Sequence, residues 1–106
     1  MKVLDIKEKI ERLKDEIVEK YRPEKIILFG SATQDELSDV NDIDLLIIKK
    51  DVPYYGADRI RALYHLIDTD TAVDFLVYTP DEFERGQVRG DPFIKEIVRK
   101  GRVLYG

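Results

Sequence analysis

Two aspartates stand at the start of an apolar stretch of the chain, Asn41-Asp42-Ile43-Asp44-Leu45-Leu46-Ile47-Ile48. The run of branched apolar residues predicts a buried strand. Because side chains alternate along a strand, Asp42 and Asp44 are expected on the same face, ~7 Å apart. Aspartate is depleted in strands, and a buried carboxylate is costly unless it is paired or bound to a metal. This stretch therefore predicts that the entrance of the strand holds a functional site, in which the carboxylates are paired or bound to a metal.

A third aspartate occupies a similar position further along the chain. Asp74 lies between Val73 and Phe75, at the start of a β-rich segment that ends at Tyr78. A hard divalent cation such as Mg²⁺ is the natural compensator of such carboxylates, because it prefers oxygen ligands and keeps several waters. Two ions ~3.5–4 Å apart, bridged by these carboxylates, would suit an in-line phosphoryl displacement. The alternative interpretation is that the three aspartates are ordinary solvent-exposed residues at strand edges or in turns.

A glycine and a serine follow the first predicted strand directly. Gly30 and Ser31 come after the apolar run Ile26–Phe29. Glycine lets the backbone approach an anion closely, and serine supplies a hydroxyl and an N–H at the start of a turn, where amides favour phosphate. The pair therefore predicts a phosphate subsite, with an ordinary strand-to-turn exit as the alternative.

Hydrophobic periodicity predicts alternating helices and strands. A Thr79-Pro80 start predicts only a short helical turn, whereas Asp91-Pro92 and Gly101 bracket a full helix. The remaining predicted elements are a helix over 2–21, strands over 26–29, 43–48 and 72–78, a helix capped by Asp58 and an edge strand over 102–105.

The placement of the acids also predicts how the strands pair. The first two strands are expected to be antiparallel and the second and third parallel, joined by a helical crossover. The fold class is α/β (α+β), with a small mixed sheet of three to four strands flanked by helices.

Composition limits the range of functions. The chain has 106 residues, 43% of them hydrophobic and 38% charged, which indicates a single domain over 1–106. No apolar run approaches the ~20 residues of a membrane span, and no secretory leader is recognisable, so we expect no membrane contact and a cytoplasmic location. The net charge of −4 argues against direct nucleic-acid binding, and the absence of cysteine excludes disulfides and thiolate metal sites.

The spacing of these residues resembles a known family signature. Gly30-Ser31, ten residues, and Asp42-Ile43-Asp44 are similar to the Gly-Ser-x10-Asp-x-Asp motif of minimal nucleotidyltransferase (MNT) domains. These domains belong to the DNA polymerase beta-like nucleotidyltransferase superfamily. The resemblance extends from about Ile26 to the end of the chain and includes Asp74 as the usual third carboxylate.

The resemblance implies a nucleotidyltransferase fold and a Mg²⁺-dependent transfer of AMP from ATP to a hydroxyl acceptor. It implies that Asp42 and Asp44 hold two metal ions, and that Asp74 binds the catalytic metal and helps to activate the acceptor. Gly30 and Ser31 would hold the β- and γ-phosphates.

The resemblance also implies a partner, because many MNT domains act as antitoxins of HEPN-domain ribonucleases, some by adenylylating a toxin tyrosine. The alternative is a non-catalytic module that neutralises the toxin by forming a complex with it. A transferase for a small molecule such as an aminoglycoside is a weaker third hypothesis.

The sequence departs from the family pattern in two respects. The stretch over 32–36 after Ser31 has no basic residue and no glycine, so a cation supplied by a partner is worth considering. The sequence also shows no additional helical domain of the kind with which larger relatives hold the base and the acceptor. The acceptor is therefore expected to come from a partner or a second subunit. Nucleotide preference and oligomeric state stay open.

Other polar and aromatic residues are predicted to be structural or solvent-exposed. His65 is expected at the surface or in packing rather than as a catalytic base. Lys49 and Lys50 are expected at a solvated strand end, and Arg59 and Arg61 on an exposed helix face rather than at a phosphate. Tyr54 and Tyr55 are expected to pack within their loop.

Overall fold

The computed structural model describes residues 3–33, 42–69 and 72–106, with side chains from residue 6 onward. Its elements in chain order are α1 (Val3–Tyr21), β1 (Lys25–Phe29), a 3₁₀ turn (Gly30–Thr33), β2 (Ile43–Ile48), α2 (Gly56–Leu66), β3 (Val73–Tyr78), α3 (Pro80–Arg89), α4 (Pro92–Lys100) and β4 (Arg102–Tyr105). The α+β fold class is confirmed, and the stretch over 34–41 that follows the Gly-Ser pair lies outside the described residues.

The four strands form one mixed sheet in the order β3-β2-β1-β4. β1 pairs antiparallel with both β2 and β4, whereas β2 and β3 run parallel. The predicted pairing of the first three strands is therefore confirmed. The end of β1 and the starts of β2 and β3 consequently meet at one edge of the sheet.

Alternation along the strands divides the core into two layers. Ile43, Leu45 and Ile47 of β2 point to the face that α1 and α2 cover, and all three are fully buried. Leu46 and Ile48 point to the opposite face, where Phe83 of α3 and two isoleucines of α4 pack against them. Each face of the sheet is thus covered by two helices.

The helix starts differ from the predictions in two places. Asp58 does not cap α2, because the helix begins at Gly56 and Tyr55 occupies the cap position without a side-chain hydrogen bond. The predicted turn after Thr79 is a full ten-residue helix. Thr79 and Glu82 form a reciprocal capping box there, which satisfies two free backbone N–H groups and stabilises the helix start.

Within the described residues, none of the helices combines the length and the apolar character that crossing a bilayer requires.

Candidate active site

Asp44 and Asp74 lie side by side on adjacent parallel strands. They are direct partners in the β2–β3 register. Their neighbours Ile43, Leu45 and Phe75 turn into the core under α1 and α2, so both carboxylates point to the opposite face of the sheet. Neighbouring strands are about 4.8 Å apart, which brings the two side chains within contact.

The environment of Asp44 disfavours its negative charge. Its side chain is half-buried, and burial is the main cause that raises its pKa. The nearby carboxylates of Asp74 and Asp42 raise the pKa further, as does a hydrogen bond between the carboxyl groups of Asp44 and Asp74. Carboxylates that lie this close cannot all be ionised without cost. The cluster therefore favours either a shared proton or a bound cation.

The Gly30-Ser31 bend lies directly beside this cluster. Phe29, the last residue of β1, is paired with Asp44 across the antiparallel ladder. Gly30 then adopts φ +75°, which turns the chain into the 3₁₀ turn. The turn is held by the Thr33 hydroxyl, which donates to the Gly30 carbonyl at 2.7 Å. Ser31 is exposed at this turn, where its hydroxyl and backbone N–H can reach an anion.

A cavity of about 460 Å³ opens beside the same bend. Phe29 and Phe93 form one wall, with their rings in an edge-to-face contact at 5.7 Å. Lys100 and Glu96 also line the cavity and form an ion pair at 2.8 Å. The described residues that line it are Phe29, Gly30, Ser31, Thr33, Phe93, Glu96, Ile97, Lys100 and Gly101.

The carboxylates have the right chemistry for a hard divalent cation. Asp44 and Asp74 offer adjacent oxygen donors, and Asp42 is exposed just before β2 and close enough to act on Asp44 electrostatically. Across residues 3–33, 42–69 and 72–106, however, no three acidic or histidine side chains converge into a metal cage. The donor set fits Mg²⁺, which takes one or two carboxylates and fills its remaining positions with water and phosphate oxygens.

The structure thus brings all five predicted site residues to one edge of the sheet. Asp44 and Asp74 form a contacting pair, Gly30 packs against Asp44, Ser31 follows it, and Asp42 stands at the entrance of β2. That these residues act as catalytic, metal and phosphate ligands stays a prediction.

Sequence reasoning missed the part of the site that α4 contributes. Phe93, Glu96 and Lys100 line the cavity, although they follow Ser31 by more than sixty positions. Their spacing indicates only one face of a helix, and no local pattern shows that this face meets the Gly-Ser bend. The packing of α4 on β1, through Ile97 and Ile27, brings them there.

Arg59 was predicted on an exposed helix face, and this prediction was wrong. Its side chain is only 7% exposed, and it donates to the carbonyls of Pro53, Tyr54 and Val77. It also forms a two-point contact with the Glu82 carboxylate at 2.6 and 3.3 Å. Arg59 therefore joins α2, β3 and α3 at the end of the sheet opposite the carboxylates.

The remaining polar and aromatic predictions had mixed outcomes. His65 and Arg61 are exposed, as expected. Lys49 is half-buried rather than fully solvated, and its ammonium lies 5.1 Å from the centre of the Tyr21 ring. Tyr54 and Tyr55 do not pack within the loop, because they are 86% and 69% exposed and contact mainly each other.

Comparison with known proteins gives one match. The family model described as polymerase beta, nucleotidyltransferase matches residues 8–106. The matched range includes all five predicted site residues. Comparisons with curated proteins and with solved structures found no match.

Proposed function

Since the chain belongs to the polymerase beta nucleotidyltransferase family, we propose that it transfers AMP from ATP, with Mg²⁺, to a hydroxyl group of a protein partner. The acceptor would be a tyrosine of a HEPN-domain ribonuclease toxin, and the modification would make this chain its antitoxin. The observation that carries the proposal is the in-register pair of Asp44 and Asp74 beside the Gly30-Ser31 bend.

We propose the following role for each site residue in this reaction. Asp44 and Asp74 would hold Mg²⁺, with Asp42 near Asp44 as a further oxygen donor, and the ion would offset the negative charge of the phosphates. Ser31 and the backbone of the 3₁₀ turn would bind the β- and γ-phosphates and so orient the α-phosphorus toward the carboxylates. Asp74 is exposed at the sheet edge, where it can take the proton of an incoming hydroxyl.

The chemical step is an in-line displacement. The acceptor oxygen forms a bond to the α-phosphorus while the bond from that phosphorus to the bridging oxygen breaks, and pyrophosphate leaves. The proton of the acceptor passes to Asp74 and then to solvent. The open position of the carboxylates supports a protein acceptor, because both Asp42 and Asp74 are accessible from outside the domain.

A transfer assay tests this proposal. The chain would be incubated with a HEPN protein encoded beside it, ATP and MgCl₂, and the partner analysed by intact-mass and peptide spectrometry for an added AMP. We expect one modified tyrosine, and no modification with the Asp42→Asn, Asp44→Asn double variant, whose fold is checked by circular dichroism. Equal transfer by the double variant would contradict the proposed site.

A second function has two observations in its favour. In the described residues the carboxylates do not converge into a complete metal cage, and the stretch over 32–36 carries no basic residue. A non-catalytic module would neutralise the toxin simply by covering it. Neutralisation that persists without ATP and with Asp42→Asn would support this second function, whereas neutralisation that requires both supports transfer.

A further inference from the structure

We propose that Lys100 is the cation that binds the terminal phosphates of the nucleotide, in the cavity beside Ser31. This inference rests on the proposed function and names a further substrate-binding residue for it. Lys100 would then supply the phosphate-binding positive charge that the stretch over 32–36 lacks.

The position of the cavity relative to the carboxylates is the first argument. Gly30 lines the cavity, and its Cα also packs against the carboxylate of Asp44. A triphosphate whose α-phosphorus lies at the aspartates and whose next phosphates reach Ser31 therefore extends into this cavity. Lys100, the last residue of α4, lines this cavity.

The distribution of charge is the second argument. A triphosphate needs cationic or N–H donors along its length, yet the aspartate cluster is acidic and residues 32–36 contain no lysine or arginine. Among the described residues that line the cavity, Lys100 alone is basic. The other polar groups there are the hydroxyls of Ser31 and Thr33 and the carboxylate of Glu96.

The third argument concerns Glu96, whose carboxylate would otherwise repel a phosphate. Glu96 has two cationic partners, Lys100 at 2.8 Å and Arg99 at 3.1 Å. When Lys100 turns toward a phosphate, Arg99 still neutralises Glu96. The Lys100 side chain is 65% exposed, so it is free to make this change of partner.

The walls of the cavity strengthen such an interaction. Phe29 and Phe93 present an apolar surface next to Ser31 and Lys100. An apolar wall replaces part of the surrounding water, so a lysine–phosphate contact beside it is somewhat stronger than at a fully open surface, even with Lys100 largely exposed.

A binding experiment separates this role from a general effect of charge. Isothermal titration calorimetry would measure the affinity of the parent, Lys100→Gln and Lys95→Gln for ATP and for AMP, with MgCl₂ and without an acceptor. Lys95 is the matched control, because it lies on the same helix, is exposed, and does not line the cavity. AMP lacks the phosphates that Lys100 is proposed to bind.

We expect Lys100→Gln to weaken ATP binding about tenfold, the lower end of the range for a hydrogen bond between charged groups, and to leave AMP binding unchanged. Lys95→Gln should leave both affinities unchanged. Glu96→Gln should tighten ATP binding, because it frees Lys100 and removes a negative charge.

Two results would overturn the inference alone. One is a Lys100→Gln variant that binds ATP as tightly as the parent does, and the other is an equal loss of affinity for ATP and AMP. A parent that binds neither ATP nor any other nucleoside triphosphate would overturn the proposed function, and this inference with it.

Discussion

The carboxylate of Asp44 lies directly against the Cα of Gly30. A Cβ atom built at Gly30 would come closer than 3.0 Å to Oδ2 of Asp44, a separation that real Cβ atoms essentially never show. Gly30 also has φ +75°, a backbone conformation that side-chain-bearing residues rarely adopt. The close approach of the bend to the Asp44 carboxylate therefore requires glycine at position 30.

We expect Gly30→Ala to lower the free energy of unfolding by about 2 kcal/mol, from backbone strain and from displacement of Asp44. Nucleotidyl transfer should be lost as well, because the added methyl group displaces the carboxylate of Asp44 from its place beside Gly30. Urea unfolding and the transfer assay measure the two effects.

Gly56→Ala is the control for this substitution. A Cβ at Gly56 would meet no atom within 4 Å, and this glycine is the first residue of α2. Its stability should be unchanged or higher by up to about 1 kcal/mol. Gly30→Ala and Gly56→Ala variants of equal stability would show that the contact between Gly30 and Asp44 has no structural importance.

Asp44→Asn should stabilise the metal-free protein at neutral pH while it abolishes transfer. Burial and the neighbouring carboxylates raise the pKa of Asp44, so its charge costs free energy in the folded state. An uncharged amide removes this cost, and we expect a gain of about 0.5–1 kcal/mol in thermal or urea unfolding.

Asp51→Asn serves as the comparison, because Asp51 is exposed in the segment after β2. It should change neither stability nor transfer. An Asp44→Asn protein that is less stable than the parent would mean that the aspartate cluster contributes to the fold rather than opposing it.

Arg59→Met should destabilise the fold without touching the acidic cluster. The substitution removes donors to three backbone carbonyls and to Glu82. Because Glu82 is 41% exposed and partly solvated, we expect a loss of about 2–4 kcal/mol rather than the full cost of an uncompensated buried charge. Arg61→Met, on the same helix but exposed, should cost little. Equal melting temperatures of the two variants would contradict this role of Arg59.

The contact between Arg59 and Glu82 also predicts a dependence on pH. The hydrogen bond from Arg59 is the main cause that lowers the pKa of Glu82, below its ordinary value of 4.5. A carboxyl group whose pKa is lower in the folded state than in the unfolded state stabilises the fold at any pH above its unfolded-state pKa. This stabilisation is lost as the pH falls through the folded-state pKa.

The difference in unfolding free energy between the parent and Glu82→Gln should therefore be largest at neutral pH and should shrink below pH 4.5, the ordinary value of Glu82. Urea unfolding between neutral pH and pH 3 measures it. Glu84→Gln, an exposed position on the same helix, is the control. A difference that stays constant with pH would contradict the ion pair as its cause.

Most of the fold follows from local patterns. The apolar run over 43–48 coincides with β2, and the Asp91-Pro92 start and the Gly101 stop bracket α4. The parallel pairing of β2 and β3 followed from the expectation that Asp44 and Asp74 meet at one edge, and the register places them opposite each other. Patterns of this kind depend on side-chain alternation and capping chemistry, which a sequence displays directly.

The sequence did not predict the positions of Arg59 and Lys100, because these positions depend on contacts between distant segments. Arg59 looks like any polar residue on a helix, and only the packing of α2 beside β3 and α3 turns its guanidinium inward. Lys100 looks like a charged helix end, and only the contact between α4 and β1 brings it near Ser31. Burial of a long polar side chain is decided by tertiary structure, which periodicity alone does not encode.

The two ends of β2 carry different surfaces, the aspartate cluster at its start and an aromatic turn after its end. The strand starts at the carboxylates and ends roughly 17 Å away, where Arg59 anchors a turn that carries the exposed rings of Tyr54 and Tyr55. Substitutions of Tyr54 and Tyr55 can therefore change the exposed surface of that distal turn without changing the geometry of the aspartate cluster.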